Sequence, residues 1–144
     1  MYTNRLKEIR ETLNINQKEI ANILGISRQT YSEWETLKNF IPLKHLNNYC
    51  NIFDFSMDYV MQLTNKNIKY SKIKELNKIY IGNKLRNFRK NENISSRELA
   101  DKLKCAYSTI NAYERGEYLI LTSLLFELCK KYNLSMDEFC GRTK

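Results

Sequence analysis

The chain has one proline and four glycines in 144 residues, so little in it supplies the tight turns on which hairpin-built folds depend. No stretch reaches the ~20 apolar residues needed to span a bilayer, and the N-terminus lacks the apolar core of a secretory signal. A cytoplasmic location without a membrane partner is therefore expected. The single histidine, His45, is expected mid-helix, away from any cysteine or carboxylate constellation. There is no glycine-rich loop to cradle a phosphate. These absences argue against an enzyme and against a cofactor or small-molecule substrate. The four cysteines make neither a C-x-x-C pair nor a Cys/His cluster. They are expected to be reduced structural thiols with no metal, Cys140 near the C-terminus being the least determined by its surroundings.

What the chain does have is a repeat. Residues 4–62 slide onto 83–141 without a gap at an offset of 79, and sixteen of the 59 positions are identical. They include Leu6/Leu85, Arg10/Arg89, Glu19/Glu98, Ala21/Ala100, Leu24/Leu103, Glu35/Glu114, Cys50/Cys129 and the run Ser56-Met57-Asp58 against Ser135-Met136-Asp137. Length alone suggests one domain, but the repeat divides the chain into two units of about 60 residues, each close to the lower limit for an independent core. The expected division is residues 1–63, a linker at 64–82, and residues 83–144.

The formal net charge of +8 suits a polyanionic partner, although an AT-rich coding sequence would also favour lysine. Its distribution says more than its total. Residues 4–62 carry seven basic and seven acidic side chains, and residues 83–141 carry ten and eight. Residues 63–82 hold five lysines and one acid, and Arg142 and Lys144 supply the rest. The linker is thus the most basic element and a candidate phosphate-facing segment.

Apolar spacing at three and four residues predicts helices throughout. In the first unit it predicts a helix over residues 4–13, with Leu6, Ile9 and Leu13 inward. A second follows over 17–24 behind Asn16, with Glu19 completing a capping box. Gly25-Ile26-Ser27 then breaks the chain, with glycine suited to a left-handed terminus and serine to a cap. A third helix over 28–35 turns Tyr31 and Trp34 inward. Two more, over 43–53 and 57–62, close the unit. Ser95 with Glu98 repeats the first capping box, and Ser135 with Glu138 reads as a complete box of the same kind. Within the linker, residues 72–80 read as a helix behind Ser71, with Ile73, Leu76 and Tyr80 on one side. The fold class is all-α: two consecutive five-helix units joined by a basic, partly helical linker.

Two strings carry a resemblance. The first is Ile15-Asn-Gln17-Lys-Glu19-Ile-Ala21-Asn-Ile-Leu24-Gly25-Ile-Ser27-Arg-Gln-Thr30-Tyr-Ser-Glu-Trp34-Glu35; the second is Ile94-Ser-Ser-Arg-Glu98-Leu-Ala100-Asp-Lys-Leu103 followed by Ser108-Thr109-Ile110-Asn-Ala-Tyr113-Glu114-Arg115-Gly116. Both resemble the helix-turn-helix domain of the Cro and lambda-repressor (xenobiotic-response-element) family, and the aligned units cover 118 of the 144 residues. The resemblance implies that Arg10 and Glu35 form a structural ion pair, repeated by Arg89 and Glu114. It also implies that the third helix enters the major groove of DNA.

Arg28, Gln29, Ser32 and Glu33 are then the base-contact candidates of the first unit. Arginine pairs bidentately with guanine, glutamine with adenine, and glutamate accepts from cytosine. Gln17 resembles the family's phosphate-clamping glutamine, and Lys38 and Asn39 are further phosphate candidates. In the second unit the corresponding positions are Tyr107, Ser108 and Asn111 for bases, with Ser96 and Arg97 for phosphate. That unit lacks the bidentate arginine, and Lys104 replaces the turn glycine. In the first unit Leu37 stands where the family commonly has glycine. Lys72, Lys74 and Lys78 are the phosphate candidates of the linker.

The expected function is sequence-specific binding of double-stranded DNA by a transcriptional regulator, with repression implied by family analogy alone. A second reading is antitoxin-like, with the second unit and its apolar segment 118–121 serving a protein partner. Two joined units can replace a dimer, and a homodimer of the whole chain is also allowed. The linker's ~20 residues reach roughly 30 Å as helix and about twice that when extended. A palindrome and a direct repeat are therefore both within reach.

Overall fold

The computed structural model describes residues 3–143, which form ten helices and no strand. The first unit comprises α1 (Leu6–Thr12), α2 (Gln17–Leu24), α3 (Arg28–Glu35), α4 (Leu43–Phe53) and α5 (Met57–Val60). The second comprises α6 (Lys78–Asn91), α7 (Ser96–Leu103), α8 (Tyr107–Glu114), α9 (Thr122–Tyr132) and α10 (Met136–Phe139).

Local chemistry fixes the start of α2 and α7. The Asn16 side chain accepts from the Glu19 amide while Glu19 accepts from the Asn16 amide, and Ser95 with Glu98 repeats the pair. Gly25 ends α2 with a φ of 71°, and Ser27 caps α3 by accepting from the Thr30 amide. In the second unit Lys104 takes the same left-handed turn at φ 58°, and α8 begins without a side-chain cap. The apolar faces then meet as each unit's core. Leu6, Ile20, Tyr31 and Leu46 are buried in the first, and Leu85, Leu99, Ile110 and Leu125 occupy the same places in the second.

Four expectations are corrected. Leu13 lies past the end of α1 and is 39% exposed, so it is not core. The fifth helix stops at Val60 because Gln62 turns left-handed at φ 61°. The expected linker helix over 72–80 does not form, and α6 begins only at Lys78, capped by Asn77 rather than Ser71. Tertiary hydrogen bonds hold the linker instead. The Ile73 carbonyl accepts from the side chains of Asn47 and Asn51 on α4, Lys69 is tied to Asp54, and the Ser71 amide donates to Thr143. Tyr80 is consequently exposed. Finally, the box expected at Ser135 is recruited elsewhere: Ser135 accepts from the Glu138 amide but gives its own proton to Asp58 of the first unit.

That last contact belongs to the junction between the units. The Asp137 carboxylate accepts from the amides of Met57 and Asp58 at 2.9 Å each, at the start of α5. The Asp58 carboxylate accepts from the Met136 amide at 2.7 Å and from the Ser135 hydroxyl, at the start of α10. Each aspartate thus satisfies orphan amides of the other unit's terminal helix. Arg142, 2% exposed, lies over this junction and donates to Asp137, Asn47, Asn51 and the Phe55 carbonyl.

Candidate nucleic-acid interface

The ion pairs that tie the first helix of each unit to the reading helix are formed. Arg10 Nε donates to Glu35 Oε2 at 2.7 Å, and Arg89 Nε donates to Glu114 Oε2 at 2.8 Å. Each arginine also donates to a backbone carbonyl in the turn before the next helix, Ile15 or Ile94. Burial by itself would raise the Glu35 carboxyl, but hydrogen bonds from Arg10, Tyr31 and Gln17 outweigh it and hold the group below the usual carboxylate range. The carboxylate therefore anchors the C-terminal end of α3 against α1 and α2. Gln17 sits at the start of α2 with its Nε2 on Glu35 at 3.3 Å.

With Tyr31 and Trp34 in the core, the helical period leaves Arg28, Gln29, Ser32 and Glu33 on the outer face of α3. These four, with Thr36 and Lys38, line one shallow surface concavity. Arg28 and Gln29 are exposed, Ser32 and Glu33 half-buried. Lys38 and Asn39 follow on the loop after α3, with the Lys38 ammonium 3.9 Å from Glu33. Such a face offers a fork donor, an amide and a carboxylate, each matched to a different base edge in the major groove.

On α8 the outer positions are Tyr107 and Ser108, both exposed, and Asn111, half-buried. The Arg97 guanidinium lies over the Tyr107 ring at 3.9 Å from its centroid, which joins a cation of α7 to the start of α8. Ser96 opens α7 at the position Gln17 holds on α2. Arg115 pairs with Glu117 at 3.0 Å. Glu117 stands where the first unit has Lys38, and the Lys78 ammonium reaches its carbonyl at 3.5 Å. Lys78, the first residue of α6, thus supplies positive charge where the loop residue of the second unit is acidic.

The other linker lysines are dispersed. Lys72 is 3.9 Å from Asp54 at the C-terminal end of α4, whereas Lys74 borders a groove with Lys44 and His45 at the opposite end of that helix. The structure does not gather Lys72, Lys74 and Lys78 into one patch.

Sequence reasoning missed the junction of Asp58, Asp137 and Arg142. Its only signal was the run Ser-Met-Asp, the longest string identical in both units. Arg142 counts in the sequence only as terminal positive charge, yet it is buried against Asp137 at 2.9 Å. All four cysteines are free thiols; Cys50, Cys129 and Cys140 are buried and Cys105 is half-buried. Among the described residues no helix is long and apolar enough to cross a membrane.

Residues 3–66 match a family described as a helix-turn-helix domain, and residues 85–139 match a second described as helix-turn-helix. Three Bacillus subtilis (strain 168) proteins are similar. The HTH-type transcriptional regulator YobD is 30% identical over 64 residues, and the SPbeta prophage-derived HTH-type transcriptional regulator YonR is 36% identical over 64. The HTH-type transcriptional regulator YqaE is 34% identical over 62. The aligned segments are 44%, 44% and 43% of this chain, and the chain spans 57%, 59% and 53% of those relatives. Two crystal structures of the clp gene regulator ClgR from Corynebacterium glutamicum also match. One is 26% identical with a TM-score of 0.41, covering 44% of this chain and 68% of that one. The other is 25% identical with a TM-score of 0.42, covering 48% and 94%. Each half of the sequence falls within a helix-turn-helix family, and the chain belongs to the helix-turn-helix proteins of the Cro/lambda-repressor-like type, with two such domains in tandem.

Proposed function

We propose that this chain is a sequence-specific double-stranded DNA-binding transcriptional regulator that acts in the cytoplasm as a repressor, by occupying DNA that polymerase must reach. The observation that carries this reading is the outer face of α3. Arg28, Gln29, Ser32 and Glu33 project together from a helix whose inner face and C-terminal end are fixed by the core and by the Arg10–Glu35 pair. These side chains read bases. Gln17, Lys38 and Asn39 hold the backbone beside them, Ser96 and Arg97 do so for the second unit, and Lys72, Lys74 and Lys78 add phosphate contacts from the segment between. Tyr107, Ser108 and Asn111 are its base readers. The reading requires no catalysis, metal or cofactor.

A second reading has its own observation. Tyr118 and Leu121, in the loop after α8, are 65% and 59% exposed. An antitoxin-like protein would use that apolar segment for a protein partner while the first unit binds its promoter.

Selection of random duplex DNA by the full chain tests the proposal. Enrichment of a defined motif supports it, and failure of any sequence to enrich overturns it. A stable co-purifying protein that is released by Tyr118→Ser with Leu121→Ser would favour the second reading.

A further inference from the structure

The two units do not merely follow one another; they face each other through equivalent residues. Asp58 and Asp137 are counterparts at the repeat offset of 79, and each caps the helix on which the other sits. Met57 and Met136, the residues donating the neighbouring amides, are counterparts as well. A second contact region obeys the same rule. Residues 40–44 of the first unit and residues 119–123 of the second line one crevice, and every member of one set is the counterpart of a member of the other. An interface in which residue i meets j while the counterpart of i meets the counterpart of j is isologous, and only a two-fold relation produces it. Units related by translation along the chain would bring unlike surfaces together.

The reading helices are tied to this axis. A short loop leads from α3 to residues 40–44 at the junction, the last of them in the first turn of α4, and the corresponding loop leads from α8 to residues 119–123 at the start of α9. Both helices therefore flank the pseudo-two-fold axis at corresponding places. The duplex backbone has two-fold axes perpendicular to its length, so readers related by a dyad match half-sites related by a dyad. A direct repeat would require readers related by translation. The two readers also differ in chemistry, with Arg28 and Gln29 on one side and Tyr107, Ser108 and Asn111 on the other.

We infer that a single chain is a built-in pseudo-dimer whose target is an inverted repeat with two non-identical halves, one read by α3 and the other by α8. This rests on the DNA-binding reading above and goes beyond it by fixing the orientation, asymmetry and stoichiometry of the target. Arg142 reinforces the junction on one side only. Its counterpart is Leu63, and its bonds to Asn47, Asn51 and Asp137 have no equivalent in the other half. The pairing is thus that of a chain with itself, and a second copy is not needed to complete the two-reader arrangement.

The test uses the full chain and duplexes from the selection. One chain per duplex by native mass spectrometry is expected, on a bipartite motif whose halves are inverted, unlike in sequence and about one helical turn apart. Arg28→Ala should weaken binding roughly 5- to 150-fold for the bidentate pair it removes and relax preference in one half only; Asn111→Ala should do so in the other half only. A direct repeat, two chains bound on identical halves, or a single half-site insensitive to Asn111→Ala would each overturn the inference while leaving DNA binding intact. Absence of any enriched motif would instead overturn the reading on which it rests.

Discussion

At the residue scale, Leu37 and Glu35 show what the repeat reveals and what it conceals. Leu37 adopts a φ of 64°, and its counterpart Gly116 a φ of 74°. A leucine in that region is strained, whereas glycine is not. Leu37 is also 39% exposed, so truncation forfeits little packing. Leu37→Gly is therefore expected to raise stability by about 0.5–1 kcal/mol, read as a higher melting temperature; a lower one would show that the side chain contributes more than its strain costs. Glu35 is the reverse case. Its side chain is 3% exposed and matched by Arg10. Glu35→Ala leaves the arginine charge uncompensated and should cost about 3 kcal/mol in denaturant unfolding. A loss below half of that would mean that water rescues Arg10. Both residues were legible in the sequence through the family resemblance, Leu37 as a departure from its usual glycine and Glu35 as the partner it implies for Arg10. The role of Arg142 was not, because its counterpart is an unrelated leucine and three of its four partners lie more than 80 positions away in the chain.

At the scale of elements, sequence reading succeeded where a helix carries its own stop signals. The bounds of α2 and the start of α3 follow from Asn16, Gly25 and Ser27, whose effects are local. It failed in the linker, where periodicity suggested a helix over 72–80. Asn47 and Asn51 on α4 claim the Ile73 carbonyl, and that competition is invisible until the chain is folded. The linker's charge has a testable consequence all the same. Lys78 stands beside Glu117 near the end of α8, and Lys74 beside the start of α4. Replacing Lys72, Lys74 and Lys78 by glutamine should flatten the salt dependence of DNA binding by nearly one unit of log–log slope for each phosphate that is no longer neutralised. An unchanged slope would place the linker away from the duplex.

For the whole molecule, the junction between units is a titratable interface. Burial and the neighbouring Asp137 carboxylate push the Asp58 carboxyl up to about 7, against opposing hydrogen bonds from Ser135 and Met136. Aspartates of the unfolded chain release their protons near pH ~4, so the folded state holds this proton the more tightly. The stabilisation it contributes is complete below about pH 4 and is lost as the pH rises through about 7. Stability measured by chemical denaturation should fall across that window. Asp58→Asn, whose amide oxygen can accept from Met136 while its NH2 group donates to the Ser135 hydroxyl oxygen, should remove the fall. A variant with the same pH slope as the parent would show that the proton is not held at this junction. The internal repeat made two units legible, but not how they meet, since reciprocal capping depends on two surfaces whose complementarity no single helix displays.

The assignment of α3 as the base-reading helix is tested most directly by measuring Arg28→Ala and Gln29→Ala against duplexes varied one base pair at a time. Each substitution is expected to cost about 1–3 kcal/mol on the preferred sequence and to erase discrimination at one position while leaving the others intact. Equal weakening on every sequence would contradict it, because the two side chains would then be holding the backbone rather than reading bases.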